Sequence, residues 1–84
     1  MGRRKKIADA YRSLSEPEQL RKGALATDIE ELIPGGDFAK YASLSNDAQR
    51  RVDGLLTTLL LSIGVDAPGG MIVEVVANEY RKKI

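Results

Sequence analysis

The side chains that could do chemistry in this sequence are carboxylates, hydroxyls and cationic groups, because its 84 residues include no histidine and no cysteine. An imidazole base, a thiolate nucleophile and the common zinc ligands are therefore excluded. Cations are clustered at residues 3–6 and again at residues 81–83. A short cationic arm can contact phosphate groups without a walled pocket. The inventory predicts a binding protein, not an enzyme, and it implies no cofactor and no metal.

Size, charge and hydropathy limit the class of protein further. Domains usually run from about 50 to 250 residues, so a chain of 84 residues predicts one small domain. Its 13 basic and 12 acidic residues nearly cancel, which weakens a simple electrostatic case for nucleic acid. The longest apolar runs are far shorter than the roughly 20 residues that a membrane span requires. The sequence therefore predicts a cytoplasmic protein that does not enter a membrane.

The first part of the chain predicts two helices. Apolar residues at helical spacing indicate one helix over residues 3–14 and another over residues 15–33. The second begins with a capping-box pattern, in which Ser15 and Glu18 would exchange hydrogen bonds. A proline and two glycines at residues 34–36 end it.

The second part predicts a short strand followed by two more helices. Alternating side chains over residues 37–45 fit a strand, although Lys40 falls on its apolar side. A long amphipathic helix follows over residues 46–63, in which Leu61 widens the apolar stripe beyond what one neighbouring helix would cover. After a turn that starts at Gly64, the last helix is predicted over residues 69–83.

One short pattern occurs twice. Tyrosine, serine, leucine, serine, glutamine, arginine, leucine and threonine follow each other at the same spacing in residues 11–27 and in residues 41–57, with the first five in residues 11–19 and 41–49, and each copy is followed by Pro-Gly-Gly. A stacked repeat protein needs at least about three copies of its unit. We therefore interpret the pattern as a common helix-start phrase and not as a duplication.

The order strand, long helix, turn and helix from residue 37 onwards is typical of one family. The residues that carry it are Lys40, Tyr41, Ala42, Ser43, Leu44 and Ser45 as ribbon and cap, the stripe over residues 52–63, Gly64 with Pro68, Gly69 and Gly70 as the turn, and Ile72, Val76 and Tyr80 on the last helix. This part of the chain resembles the ribbon-helix-helix DNA-binding proteins, which include Arc-like and MetJ-like repressors, plasmid partition proteins and relaxosome accessory proteins.

The resemblance implies a mainly α fold with one short strand. Two copies would pair their strands into an antiparallel ribbon across a two-fold axis, and such a ribbon fits the major groove of B-form DNA. Residues 37–84 would be this homodimeric DNA-binding domain, preceded by a basic arm and helical segments at residues 1–36. The implied function is sequence-specific binding of double-stranded DNA, as a transcriptional repressor or as a plasmid centromere-binding partition protein.

The implied DNA contacts are base edges read by the ribbon and phosphates held by helix ends and cationic side chains. The predicted DNA-binding residues are Lys40, Tyr41, Ser43, Gly69, Gly70, Arg50, Arg51, Arg3, Arg4, Lys5 and Lys6. The predicted dimer core consists of Leu44, Val52, Leu55, Leu56, Leu59, Ile63, Ile72 and Val76. A purely structural interpretation stays open for several of them, with Tyr41 as a half-buried packing residue and the two glycines as parts of a turn.

A function of a different class is also compatible with the sequence. The chain could be an all-helical protein–protein interaction module without DNA binding, in which residues 37–45 form a loop and the wide stripe of the long helix binds a partner. The near-neutral charge and the poor set of base-reading side chains favour this alternative. In the DNA-binding interpretation, residues 1–36 could fold across the dimer, oligomerise the protein along DNA, or dock a partner such as a partition ATPase or a relaxase.

Overall fold

The computed structural model describes residues 2–33, 38–64 and 67–83, and these residues are almost entirely helical. The elements are α1 (Arg3–Arg12), α2 (Glu16–Leu32), a short 3-10 helix (Phe38–Ser43), α3 (Asn46–Ile63) and α4 (Gly69–Lys83). The four α-helices confirm the helices predicted from apolar spacing, with bounds that differ by at most two residues. Within the described ranges, none of the helices is both long and apolar enough to cross a membrane.

The predicted strand is wrong, and with it the ribbon-helix-helix fold. Phe38–Ser43 form a 3-10 helix, and the described parts of the chain contain no strand that could build a β-ribbon. The backbone of this segment is satisfied locally: the Leu44 amide and the Gln49 side-chain amide both donate to the Tyr41 carbonyl, each at 3.1 Å. A segment whose carbonyls already have partners in the same chain does not need a second strand. The fold is therefore all-helical.

Helix α4 lies at the centre of the bundle and packs against the other three α-helices. The sequence predicts Ile72, Val75, Val76 and Tyr80 on its apolar face; the first three are buried, and Tyr80 is half-buried. Val73 and Ala77 are fully buried as well, because neighbours on several sides leave little of the helix surface free. The buried side chains of residues 1–36 and 37–84 thus join in one core, which contains Ile7, Ala8, Tyr11, Ala26, Ile29, Ile33, Val52, Leu59, Ile72, Val73, Val75, Val76 and Ala77.

The closest approach of α2 to α4 depends on Gly23. A Cβ atom added at this position would overlap the side chain of Tyr80, so a larger residue could not bring the two helices this close. Ion pairs flank the contact: Arg81 pairs with Glu30, and Arg12 of α1 contacts Glu79 at 2.6 Å. These pairs join the carboxyl-terminal half of α4 to α1 and α2.

The two predicted helix caps differ. Ser45 caps α3 as expected, because its hydroxyl oxygen accepts from the Ala48 amide at 3.2 Å. Ser15 also stands at the N-cap of α2, but its side chain makes no capping hydrogen bond, so the capping box is not formed. At its other end α3 stops at Gly64, which adopts the left-handed conformation at φ 68° that favours glycine.

The residues predicted as a dimer core lie within a single chain. Val52, Leu59, Ile72 and Val76 are fully buried, and Leu44, Leu55, Leu56 and Ile63 are partly buried against them. Helices α1 and α2, which the sequence interpretation left outside this core, supply much of the cover. Most of this stripe is therefore covered without a second copy, although Leu60 and Leu61 stay exposed.

Candidate interaction surfaces

The three residues predicted to read DNA bases make local contacts instead. Lys40 and Ser43 are exposed on the 3-10 helix, and the Ser43 hydroxyl donates to the Lys40 carbonyl at 2.7 Å. Tyr41 is half-buried, and its hydroxyl donates to a carboxylate oxygen of Asp53 at 2.7 Å. This hydrogen bond raises the pKa of the Tyr41 hydroxyl. The structural interpretation of Tyr41 as a packing residue agrees with this geometry.

The predicted phosphate contacts at the two helix starts come together at one edge of the molecule, which we call the basic edge. It contains Arg3, Arg4 and Lys5 of α1 with Gly69 and Gly70 of α4. Two adjoining open hollows, of about 470 and 460 Å³, are lined by these residues and share Arg4 and Met71. Lys6 is exposed on the same helix.

Two contacts limit what the basic edge can offer to an anion. The Arg4 guanidinium already pairs with Glu74 at 3.0 Å, and this hydrogen bond raises the pKa of Arg4. The carboxylate of Glu74 also lines the larger hollow, where it would repel a phosphate. A Cβ atom at Gly69 would come within 2.9 Å of Leu56, so this glycine has a packing role as well. Arg3 and Lys5, the other two cations of the edge, are exposed as well.

The predicted arginines of α3 lie apart from the basic edge. Arg50 and Arg51 are exposed at the rim of a hollow of about 390 Å³, together with Asp28 of α2. The lining includes Gly54, Leu55 and Thr58 as well. This hollow lies beside a surface that the sequence interpretation did not identify.

That surface is the outer face of α3, which consists of Gly54, Thr57, Thr58, Leu60 and Leu61, all of them exposed. Leu61 is 82% exposed and Leu60 36%, whereas Val52 and Leu59 on the opposite side of the helix are fully buried. No charged residue occurs in the sequence from Gly54 to Gly64. The helix is therefore uncharged all round over its last two and a half turns, although only one side of it is covered.

The sequence contains a signal for this face. Leu61 widens the apolar stripe, which predicts that α3 packs against more than one helix and that a second copy of the chain covers the stripe. The better indication is the absence of charge on the side opposite the stripe, because an exposed helix face in a globular protein normally carries charged residues. Gly54 was missed because a single glycine within a helical pattern predicts only a loss of helix stability.

Comparison with protein-family models, with curated proteins and with solved structures finds no match to this chain. In residues 2–33, 38–64 and 67–83 no three acidic side chains converge in a cluster that could hold a metal ion.

Proposed function

We propose that this protein is an all-helical protein–protein interaction module that binds its partner through the outer face of α3. The observation that carries the proposal is Leu61, which is 82% exposed on a well-formed helix whose last turns have no charged residue. A single exposed leucine is ordinary, but an apolar surface continuous with glycine and threonine is the kind of patch that partners cover. The cytoplasmic location expected from the sequence is part of this proposal.

Two properties of α3 support this use of the surface. The helix is anchored by Val52 and Leu59, which are fully buried, so the outer face is presented on a rigid element. The hydroxyl of Thr58 donates to the Gly54 carbonyl at 2.9 Å, so this polar group is already satisfied when a partner excludes water from it. Burial of the face would therefore remove apolar surface from water without leaving that hydroxyl unpaired.

The test is site-specific photo-crosslinking in the cells that make the protein. A photoreactive amino acid at position 61 should give covalent adducts with a discrete protein, which includes a second copy of this chain. The matched control is the same substitution at Leu20, a leucine of α2 that is 43% exposed but lies one turn after Glu16 and directly before Arg21. Adducts from position 61 and not from position 20 support the proposal, and equal or absent labelling at both positions contradicts it.

A second candidate function is non-specific binding of nucleic-acid phosphates at the basic edge. The observation that favours it is the juxtaposition of Arg3 and Lys5 with the first turn of α4, where backbone amides and the helix dipole attract anions. The pairing of Arg4 with Glu74 and the net charge of +1 make it the weaker candidate.

Salt dependence of binding to random-sequence duplex DNA tests this second function. Each lost phosphate contact lowers the slope of log affinity against log salt by about 1, so a chain with both Arg3→Ala and Lys5→Ala should lose about 2. The control is Arg21→Ala, another exposed arginine that lies away from the edge. Absence of retention for the wild-type chain at low salt would remove nucleic acid as a partner.

A further inference from the structure

The outer face of α3 carries both a projection and a hollow. The projection is Leu61, with 82% of its surface exposed. The hollow, of about 390 Å³, is lined by Gly54, Leu55 and Thr58 together with Asp28, Arg50 and Arg51, so its wall is partly apolar and partly charged. Apart from the glycine, its two chain neighbours and the nearby backbone of α3, no atom of the described chain lies within 4 Å of the place where a Cβ of Gly54 would stand, so another molecule can approach the helix there.

The spacing of these two features is that of a self-complementary surface. Gly54 and Leu61 are seven residues apart, which is two turns of an α-helix and about 10 Å along its axis. They therefore lie on the same side of α3, one above the other. A two-fold axis that passes midway between them, beside Thr57 and Thr58, brings each leucine opposite the glycine of the other copy.

We propose that the partner of the outer face is a second copy of this chain, with the two α3 helices packed antiparallel and each Leu61 seated in the Gly54 hollow of the other copy. This inference rests on the proposed function, because it names the occupant of the same surface. An isologous interface needs one patch that is complementary to itself, and a projection two turns from a hollow meets that requirement.

The charged residues of α3 also bear on the orientation of the pair. Arg50 lies on the same side of α3 as Gly54 and Leu61, at i−4 from the glycine. In an antiparallel pair it lies beyond the carboxyl-terminal end of the other α3, where the last carbonyl groups form the negative end of the helix dipole. In a parallel pair each Arg50 would face the other Arg50, and each Leu61 would meet a leucine instead of a hollow. Shape therefore decides for the antiparallel pair, and charge contributes less, because Asp47 lies on the same side of α3 and approaches the same end of the helix dipole as Arg50.

Sedimentation of the purified full chain tests the pairing. The wild-type chain should be a dimer at micromolar concentration, and Leu61→Asp should raise the dissociation constant by about tenfold or more while the helical circular dichroism is kept, because this side chain lies outside the core. Leu20→Asp, the matched exposed leucine, should leave the dimer unchanged. Gly54→Leu should fill the hollow and weaken the dimer to a similar degree without disturbing the monomer, since its surroundings are open.

Cysteine crosslinking tests the orientation, and the absence of native cysteine keeps the readout simple. A mixture of Gly54→Cys and Leu61→Cys chains should form a mixed disulfide under mild oxidation. Leu61→Cys chains alone should crosslink poorly, since the two cysteines would be about 10 Å apart along the axis, beyond the span of a disulfide. Efficient crosslinking of Leu61→Cys chains alone would overturn the antiparallel arrangement.

The outcomes separate this inference from the proposed function. A wild-type chain that is monomeric at about 100 µM overturns the self-pairing. Adducts of position 61 with another protein would then still support the interaction module. A monomer that also gives no adduct from position 61 overturns both. A dimer that Leu61→Asp does not weaken overturns the proposed interface, even though the chain self-associates.

Discussion

Residues 11–19 and residues 41–49 build the same connection between two helices, but only the first is buried. In the first, the Tyr11 hydroxyl donates to the Gln19 carbonyl at 2.5 Å, and in the second Tyr41 faces the Gln49 carbonyl at 3.5 Å. The Gln19 side chain donates to the Arg12 and Leu14 carbonyls, and the Gln49 side chain donates to the Tyr41 carbonyl. The hydroxyls of the first serines also match: each donates to the carbonyl three residues earlier, at 2.7 Å.

The two connections differ in what covers them. Tyr11 is fully buried and Gln19 is 6% exposed, and the end of α4 lies over both. Lys83 donates to the Gln19 side-chain oxygen, and its ammonium group stands 5.9 Å from the centre of the Tyr11 ring. Tyr41 is only half-buried, and its hydroxyl turns to Asp53. One connection is thus part of the core, whereas the other is at the surface.

The two connections separate hydrogen bonds that the local sequence determines from burial that the packing of distant helices determines. The pattern that we interpreted as a common helix-start phrase gives two side-chain hydrogen bonds in both connections, from the tyrosine hydroxyl to the glutamine carbonyl and from the first serine hydroxyl to the carbonyl three residues earlier. The serine cap and the acceptors of the glutamine side chain differ between the two. A hydrogen bond contributes more when its loss would leave a buried group unpaired than when water can replace it. The same five residue types should therefore have a large energetic weight in the first connection and a small one in the second.

The largest expected effect is the loss of the buried tyrosine. Tyr11→Ala should lower the free energy of unfolding by about 3 kcal/mol or more, because it leaves a cavity in the core. Tyr41→Ala, the matched change in the exposed connection, should cost clearly less because solvent already reaches the ring. Urea unfolding followed by circular dichroism measures both. Equal losses would show that the second connection is also part of the cooperative core.

The glutamines should repeat the contrast at a smaller scale. Gln19→Ala removes the donor to the Arg12 and Leu14 carbonyls, at 3.1 and 2.7 Å, and should cost about 2 kcal/mol. Gln49→Ala removes one hydrogen bond to the Tyr41 carbonyl in a half-exposed site and should cost about 1 kcal/mol or less. The same unfolding experiment tests the order, and a larger loss for Gln49→Ala would reverse the comparison.

The helices could be predicted from the sequence because their signals are repeated along the chain. Val52, Leu59 and Ile63 recur at helical spacing within α3, and Gly64 marks its end in a conformation that other residues avoid. The predicted strand had only one weak alternation, with Lys40 on the wrong side. The contacts that decide that segment join Tyr41 to Gln49 and Asp53, eight and twelve residues away, and no local periodicity reports them.

The candidate surface could be predicted only in part. The width of the apolar stripe indicates that α3 has more than one neighbour, but the sequence does not say which side the rest of the chain covers. The covered side depends on the central position of α4 in the bundle. The sequence did not predict this position, because Val73 and Ala77, which are buried, lie outside the apolar face predicted for α4. The exposure of Leu61 follows from this packing and not from its own local sequence. The phosphate residues at 3–5 and 69–70 come together for the same reason, through the contact of α1 with α4.

The smallest expected effect is on the pKa values of Tyr11 and Tyr41, which are raised for different physical reasons. Burial is the main reason that the pKa of Tyr11 lies above its usual value of 10.0, whereas for Tyr41 the main reason is the hydrogen bond to Asp53. In both cases the folded chain holds the phenolic proton more tightly than the unfolded chain does. The stability that the folded state gains from holding this proton is complete below about pH 10, and it is lost as the pH rises through the pKa of the folded state.

The substitution Asp53→Ala distinguishes the two causes. It removes the acceptor and the charge beside Tyr41, so the pKa of that tyrosine should fall towards its usual value, while the pKa of Tyr11 should stay where burial holds it. NMR titration of the tyrosine ring-carbon signals above about pH 9 follows each of the chain's three tyrosines individually. Asp53 is exposed, so the variant should fold normally. A shift of Tyr11 together with Tyr41 would mean that the exposed connection is coupled to the buried one through the core, and that the two are not independent copies of one local structure.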